Sequence, residues 1–237
     1  MSYLLPRETA AEIDARNPGC AVLPVGSFEQ HGPYLPLITD TVIASVISGE
    51  LARAYGLFAL PPVPVSCSHE HHEWRATVSV PSAVLASYVA SIGDSVARSG
   101  FSSLVLVNGH GGNYVLSNVV QEAGAAGRRM ALFPAKEDWK TARRDAELDT
   151  TDHEDMHAGE LETSILLHAA PDLVLEGSES ADHLADDRRD LLTAGMTAYT
   201  ANGIIGKPSR ATAEKGKALL GSLTESFARV LELLDRD

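Results

Sequence analysis

The sequence predicts an α/β fold built on a largely parallel sheet with helices on both faces. Short apolar segments alternate with helical patterns along the chain, which is typical of strand–helix–strand units. Glycine follows several of the helical patterns, as it does at helix C-termini. The length of 237 residues suits one domain with a full hydrophobic core. We therefore expect residues 1–237 to form a single domain.

The first half of the chain contains three predicted strands and two predicted helices. The apolar run at 21–25 indicates a buried strand, and a helix over 41–55 follows it. Residues 58–65 form a second candidate strand, although three prolines weaken this prediction. A helix over 82–99 and a clearly apolar strand at 104–107 complete this half.

The second half of the chain continues the alternation and adds polar segments. A helix ends near residue 126, a strand covers 129–133, and later helices are predicted at 159–169 and 214–234. Polar composition predicts loops or solvated surface in three segments: 139–153, 176–189 and 203–213. We expect the first of these loops to lie over the functional site.

The composition excludes several classes of function. Formal net charge is −13, from 32 acidic and 19 basic residues, so the chain is a poor electrostatic match for nucleic acid or an anionic membrane. Two cysteines, Cys20 and Cys67, cannot form a disulfide framework. Neither a signal-peptide pattern nor an apolar run of transmembrane length is present. We expect a soluble cytoplasmic protein.

A cluster of metal-binding residue types follows the first predicted strand. Glu29, His31 and Asp40 offer carboxylate oxygens and an imidazole nitrogen, which suit a divalent ion such as zinc or manganese. Asp40 has two oxygens with which it can bridge two ions. A solvated loop in which the aspartate only caps the next helix is the alternative.

A glycine-rich turn, 108–113, follows a second strand and contains His110. In parallel sheets ligands bind beyond the carboxyl ends of the strands, so we expect His110 to lie near Glu29 and His31. The backbone amides of the turn could hold an anion, whereas the lysine of a nucleotide-binding P-loop is missing. A tight turn with an incidental histidine is the alternative.

A third segment, 157–163, combines His157 with two glutamates. Helical spacing places Glu162 on the same face as the apolar residues of the predicted helix, and that face must pack inward. A buried carboxylate is unfavourable by several kcal/mol unless it is paired or binds a metal. We therefore expect Glu162 to bind metal, with pairing to a lysine as the alternative. His157 can serve as an acid or a base, and Glu160 is expected to be solvated.

The run 66–74 is rich in histidine and also contains a cysteine. We expect one of His69, His71 and His72 to enter the wall of the site, and the sequence does not distinguish among them. Cys67 is a poor candidate for a nucleophile because no base partner can be named for it.

Three of these motifs together resemble the creatininase (creatinine amidohydrolase) family. The family pattern Glu-x-His-Gly-x-x-Leu-Pro-x-x-x-Asp occurs at 29–40. Asn-Gly-His-Gly-Gly-Asn occurs at 108–113, and His-Ala-Gly-x-x-Glu-Thr-Ser occurs at 157–164. They appear in the order that the family shows.

Two further segments extend the resemblance over nearly the whole chain. The pattern Glu-His-x-x-Phe-x-Gly-Thr occurs at 70–77, with Trp74 and Ala76 in place of phenylalanine and glycine. A loop similar to the family's Gly-x-Pro-x-x-Ala-Thr-Ala-Glu-x-Gly occurs at 206–216. The chain is therefore identified as a member of this family.

The resemblance implies a three-layer α/β/α sandwich, a homohexamer and a site for two divalent ions (Zn, Mn or Fe) per subunit. It also implies metal binding by four residues, the third of them bridging: Glu29, His31, Asp40 and His110. In creatinine-hydrolysing members a further ligand glutamate lies two residues after the last of these, where this chain has Gly112. We infer that Glu162 supplies the missing carboxylate.

The function that the resemblance implies is hydrolysis of a carbon–nitrogen amide bond in a small molecule or a short peptide. A hydroxide bound by the two ions attacks the carbonyl, and His157 donates a proton to the leaving nitrogen, with Glu162 also in the catalytic centre. Substrate contacts are predicted for five residues: Gly111, Gly112, Asn113, Trp74 and His71.

Several alternatives stay open at this point. Members with the Gly-Gly form of the turn include mycofactocin precursor peptidases and formamide hydrolases, whereas Gly112 disfavours creatinine as the substrate. A non-catalytic metal-binding protein would have lost His157 or Glu162, and both are present. A dinuclear phosphoesterase would need cationic groups over the phosphate, and the site segments are poor in lysine and arginine.

Overall fold

A four-stranded parallel sheet forms the centre of the protein. The computed structural model describes residues 6–235. The strands are β1 (Cys20–Val25), β2 (Phe58–Ala59), β3 (Ser103–Asn108) and β4 (Arg129–Phe133), in the spatial order β2-β1-β3-β4. All of β1 and nearly all of β3 are buried, because a parallel sheet covered on both faces needs apolar side chains at successive positions.

Helices cover both faces of this sheet. The α-helices are α1 (Ala10–Arg16), α2 (Thr39–Tyr55), α3 (Ser82–Arg98), α4 (Val115–Ala125), α5 (Lys136–Asp145), α6 (Glu160–Ala169), α7 (Leu191–Ala194), α8 (Ala213–Ser226) and α9 (Ala228–Leu234). Short 3-10 helices lie at His69–His71, Pro171–Leu173, Ser178–Ser180, Met196–Ala198 and Pro208–Arg210. Among residues 6–235, no helix combines the length and the apolar character that a membrane span requires.

Successive strand residues point to opposite faces and therefore belong to two separate hydrophobic clusters. Val22 and Val105 pack with apolar residues of α2, α6 and α8. Leu23 and Leu106 pack with apolar residues of α3 and α4. The predicted three-layer α/β/α sandwich is confirmed.

Two predicted elements are shorter than expected. The strand predicted over 58–65 is regular only at Phe58–Ala59, because the prolines beyond it have no N–H to donate to the sheet; a single bridge from Val63 to Val25 continues the pairing. The helix predicted over 214–234 is divided into α8 and α9 at Phe227, which is fully buried and packs edge-on against Phe133.

The loop predicted over 139–153 is wrong in its first half, because Lys136–Asp145 forms helix α5. The composition is polar, yet Ala142 is fully buried in the core beside α8. The Asp138 carboxylate accepts a 2.8 Å hydrogen bond from the Ala135 N–H and so caps the helix. A single buried apolar position, on a helix whose other buried residue is the charged Asp138, is too weak a periodic signal to read from sequence.

Close backbone contacts hold the start of α2 against the ends of the two central strands. A Cβ atom on Gly26 would lie 2.3 Å from the Thr41 backbone, and one on Gly109 would lie 2.4 Å from the Asp40 carbonyl oxygen. Only glycine permits such an approach. The first turn of α2, with Asp40, is thereby placed at the carboxyl edge of β1 and β3, where Val25 pairs with Asn108.

Candidate metal centre

Buried carboxylates and histidines converge at this edge of the sheet. Two groups of three side chains could each hold one ion, with candidate ligand atoms within 4.8 Å of one another: Glu29 with Asp40 and His110, and His31 with Asp40 and Glu162. Asp40 belongs to both groups. Its Oδ1 lies 3.1 Å from His31 Nε2, and its Oδ2 lies 2.9 Å from His110 Nδ1. All five predicted ligands therefore meet in one place.

A third group of the same kind contains Glu29, His31 and His157. His157 Nδ1 lies 3.8 Å from Glu29 Oε1, and the rings of His31 and His157 are in contact at a centroid distance of 4.2 Å. The predicted catalytic histidine thus lies at the metal-binding cluster, on the side of Glu29.

Backbone carbonyls orient three of these histidines. His31 Nδ1 lies 3.1 Å from the Glu29 carbonyl oxygen, and His110 Nε2 lies 2.8 Å from that of Cys67. His157 Nε2 lies 2.7 Å from the Gln30 carbonyl oxygen. A carbonyl only accepts, so the adjacent ring nitrogen carries a proton and the other nitrogen turns toward the carboxylates. Histidines that bind metals are held in this way.

The Glu29 carboxylate is the least satisfied group in the cluster. It is fully buried, and neither of its oxygens has a hydrogen-bond partner among residues 6–235. The ion-pair contacts of Glu29, Asp40 and Glu162 are made to histidines. A buried carboxylate without a hydrogen bond is costly, and a divalent cation would remove that cost. The donor set of oxygen and imidazole nitrogen fits Zn, Mn or Fe.

The ionisation of the cluster reflects burial and mutual charge. Burial raises the pKa of Glu29 to about 7 and that of Glu162 to about 8. Burial opposes the charged form of the histidines, but Asp40 outweighs it at His31, whose pKa rises to about 9. At His110 the charges of Glu29 and Asp40 outweigh burial and raise the pKa to about 10. A bound ion would displace these protons.

The same balance keeps two further histidines uncharged and Asp40 ionised. Burial and the neighbouring histidines hold the pKa of His157 well below its usual value and lower that of His71 to about 3. Burial opposes ionisation of Asp40, yet His31 and His110 hold its pKa well below the usual range. The surrounding histidines therefore favour the ionised form of Asp40.

Glu162 lies at the cluster, as its position on the inward face of the predicted helix indicates. Its Oε2 accepts a 2.6 Å hydrogen bond from the Ala158 N–H and lies 3.8 Å from His31 Nε2. Its ion-pair contact is with a histidine and not with a lysine, so the alternative of a glutamate–lysine pair does not describe it. The side chain is 18% exposed, which makes it the most solvent-accessible of the five predicted ligands.

The prediction that Glu160 is solvated is wrong. Glu160 is fully buried, and its carboxylate binds Lys215 Nζ and accepts a 2.6 Å hydrogen bond from the Thr150 hydroxyl. Helix α6 packs against both α2 and α8, so two of its faces are covered and a residue two positions before Glu162 is also buried. In this segment, the glutamate that pairs with a lysine is therefore Glu160 and not Glu162.

Of the three histidines in the 66–74 run, His71 enters the cluster. It is 1% exposed, and its Nε2 lies 3.3 Å from Glu29 Oε1, whereas His69 and His72 are exposed. Cys67 is buried, which raises its pKa, and its contribution to the cluster is the carbonyl that holds His110.

The remaining predicted substrate residues differ in accessibility. Gly111 is exposed, and Gly112 and Trp74 are half-buried. Trp74 Nε1 is buried and has no hydrogen-bond partner among the described residues. Asn113 is 3% exposed, and its side-chain amide donates to the Gly26 carbonyl and to Asn108 Oδ1. Substrate contact by these residues stays a prediction.

Two side chains beside the cluster were not predicted. The Ser27 hydroxyl donates a 2.7 Å hydrogen bond to Asp40 Oδ2. Gln30 is 6% exposed and contacts both His71 and His157. For Gln30 a signal exists in the sequence, because it stands between two candidate ligands in the Glu-x-His pattern. A serine just beyond a strand carries no comparable signal.

Known proteins share this sequence and this fold. The family profile of creatininase (creatinine amidohydrolase) matches residues 6–231. The chain belongs to the creatininase family. A relative in this family is the mycofactocin precursor peptide peptidase of Mycolicibacterium smegmatis, which is 34% identical over 217 residues, or 87% of this chain and 82% of that protein.

More distant relatives of this creatininase-family chain confirm the fold. The creatinine amidohydrolase of Pseudomonas putida is 24% identical over 225 residues, or 87% of this chain and 86% of that protein. A manganese form of creatininase superimposes with a TM-score of 0.81 at 23% identity, covering 97% of both chains. The relatives carry the names of hydrolases, a peptidase and an amidohydrolase, and this creatininase-family chain belongs with them to a family of hydrolytic enzymes.

The glycine-rich turn of this creatininase-family enzyme leaves no room for a side chain at Gly112, as well as at Gly109. A Cβ atom on Gly112 would lie 2.4 Å from both His110 Nε2 and Glu70 Oε1, and 2.7 Å from the Cys67 carbonyl oxygen. A Cβ atom on Gly111, by contrast, would meet no atom within 4 Å. The two neighbouring glycines therefore offer a matched pair of substitutions.

Gly112→Ala is expected to weaken metal binding by at least about tenfold, because the new methyl group must displace His110 or the Cys67 carbonyl that orients it; outer contacts of this kind are worth roughly 10- to 100-fold in affinity. Gly111→Ala should change the affinity by less than about twofold, since it enters open space. Competition against a chromogenic chelator measures both. Equal affinities for the two variants would contradict the geometry.

Proposed function

We propose that this chain is a dinuclear metal-dependent amidohydrolase that cleaves a carbon–nitrogen amide bond in a small molecule or a short peptide. The observation that carries the proposal is the sharing of Asp40 between two three-residue ligand groups. One buried carboxylate that faces a histidine from each of its oxygens is suited to bridge two ions.

The residues that would hold the ions divide into two sets. Glu29, Asp40 and His110 would hold one ion, and His31, Asp40 and Glu162 would hold the other. When bound, two divalent ions polarise a carbonyl oxygen and make a water molecule acidic near neutral pH. The unsatisfied oxygens of Glu29 support this assignment.

His157 is placed to move a proton during the reaction. Its Nε2–H is held by the Gln30 carbonyl, which leaves Nδ1 unprotonated and directed toward the cluster. We propose that Nδ1 accepts a proton from the attacking water and delivers it to the leaving nitrogen. The sequence predicted only the second of these steps. Burial and the neighbouring histidines lower the pKa of His157 and so keep its ring neutral, which leaves the Nδ1 lone pair available for the first.

The glycine-rich turn would complete the site by facing the reacting carbonyl. The backbone N–H groups of Gly111 and Gly112 follow the end of β3, next to His110, and can stabilise the negative charge of the oxygen. Those of Gly109, His110 and Asn113 donate to acceptors within the protein. Gly111 and Gly112 keep this approach unobstructed by side chains. Trp74 presents the buried, unpaired Nε1–H described above and would donate to a substrate oxygen.

The relatives favour a short peptide over a cyclic amide as the substrate. The greater identity is to an enzyme named a precursor peptide peptidase, at 34%, against 24% for a creatinine amidohydrolase. Hydrolysis of creatinine is the second candidate. It is supported by the fold that this chain shares with creatininase. The resemblance to the family also leads us to propose a homohexamer.

The decisive experiment combines metal removal with a parallel survey of substrates. Protein from which a chelator has removed the metal is expected to be inactive. It should regain activity when two ions of Zn, Mn or Fe are added per chain. Short peptides, formamides, cyclic amides and phosphate esters are assayed side by side. Tight binding of two ions without hydrolysis of any amide would indicate a metal-binding protein, and hydrolysis of the ester alone would indicate a phosphoesterase.

A further inference from the structure

One of the four histidines around Glu29 is oriented differently from the rest. His31, His110 and His157 each contact a backbone carbonyl, which accepts a hydrogen bond. His71 Nδ1 instead lies 2.9 Å from the side-chain nitrogen Nε2 of Gln30, which is a donor. His71 Nδ1 thus faces a hydrogen-bond donor, whereas each of the other three histidines faces an acceptor.

The orientation of the Gln30 amide is fixed by the backbone on both sides. Its Oε1 accepts a 3.0 Å hydrogen bond from the Gly32 N–H, and its Nε2 donates a 3.0 Å hydrogen bond to the Gly203 carbonyl. A flipped amide would set an oxygen against that carbonyl. Gly203 is required here, because a Cβ atom on it would lie 1.8 Å from Gln30 Oε1.

An amide nitrogen has two hydrogens, and both are accounted for. One is donated to the Gly203 carbonyl, and the other can reach only a ring nitrogen. His157 Nε2 lies 3.2 Å from Gln30 Nε2, but this nitrogen already donates its own proton to the Gln30 carbonyl oxygen at 2.7 Å. The second hydrogen is therefore donated to His71 Nδ1.

It follows that neutral His71 accepts at Nδ1 and carries its proton on Nε2. That nitrogen lies 3.3 Å from Glu29 Oε1, while Glu29 Oε2 lies 3.3 Å from His110 Nε2. A protonated nitrogen has no lone pair for a metal. His71 also cannot readily contact substrate, since it is 1% exposed.

We propose that Gln30 and His71 are positioning residues for Glu29: Gln30 sets the tautomer of His71, and the resulting Nε2–H faces Oε1 at 3.3 Å, without an aligned hydrogen bond, so that its attraction for Oε1 leaves Oε2 to bind metal. The proposal rests on the proposed function, because it takes Glu29 to be a ligand. It assigns His71 a role other than the substrate contact predicted from the sequence.

The tautomer can be read directly from ring nitrogens by long-range 1H–15N correlation spectra of labelled, metal-free protein. We expect the Nε2–H form for His71, whose signals are identified by their absence in His71→Gln. In Gln30→Glu, which replaces the donor with an acceptor of similar shape, the proton should appear on Nδ1. A wild-type His71 in the Nδ1–H form would overturn the proposal without any variant having to fold.

The effect on Glu29 is tested by zinc affinity. In His71→Gln the amide nitrogen replaces Nε2–H, so zinc affinity should stay within about threefold of wild type, whereas His71→Leu should lose at least about tenfold. Equal affinity in the two variants, or a His71 signal that shows direct coordination on adding zinc, would overturn the positioning role. Absence of zinc binding in the wild type would instead overturn the proposed function, and the tautomer is read without metal.

Discussion

Asp40→Asn is expected to abolish the binding of at least one ion and to weaken the other. Asp40 is the residue common to both ligand groups, and its two oxygens face His31 and His110. Asparagine keeps the shape but offers one oxygen and no charge. Because the ions supply several kcal/mol of stabilisation to the reaction, amide hydrolysis should fall by at least about 10³-fold.

Elemental analysis after dialysis measures this loss directly. We expect two ions per chain in the wild type and fewer than one in Asp40→Asn. Asp14→Asn is the matched control, because Asp14 is exposed on α1, a helix with no buried residue. Two ions retained by Asp40→Asn at wild-type affinity would exclude a bridging role, whatever the activity of that variant.

The position of the candidate metal centre could be predicted from general rules of parallel sheets applied to the sequence. β1 and β3 are short apolar runs, and in a parallel sheet their carboxyl ends meet at one edge. Glu29 and His31 follow the first and His110 follows the second, so their proximity could be predicted without knowing the rest of the fold. Glu162 could be added because a carboxylate on an inward helical face requires a partner.

Other features depend on partners that are distant in the chain. Glu160 is buried because Lys215, 55 residues later, reaches it from α8, and spacing within α6 cannot reveal a second covered face. Packing against α8 likewise stabilises residues 136–145 as helix α5. The choice of His71 over His69 and His72 is set by one short 3-10 turn, which no periodic pattern marks.

Glu29→Gln is expected to make the metal-free protein more stable at pH 8 and less responsive to metal. Burial raises the pKa of Glu29 from 4.5 to about 7, so the folded state retains a proton that the unfolded chain has released. Stability contributed by this group therefore falls as pH rises from about 4.5 to 7 and stays low above that range. Glutamine resembles the protonated form and avoids the loss, which is on the order of 3 kcal/mol.

With zinc bound, the wild type should be more stable than Glu29→Gln. A ligand present at 1,000 times its Kd stabilises a protein by about 4 kcal/mol, and a neutral amide in place of the orphaned carboxylate would forfeit much of that gain. Denaturant unfolding at pH 5 and pH 8, with and without zinc, measures both effects, and Glu122→Gln on the exposed side of α4 is the control. A metal-free wild type more stable than Glu29→Gln at pH 8 would show that the surrounding histidines compensate the buried charge of Glu29 without a cation, and the case for a cation at this position would then fail.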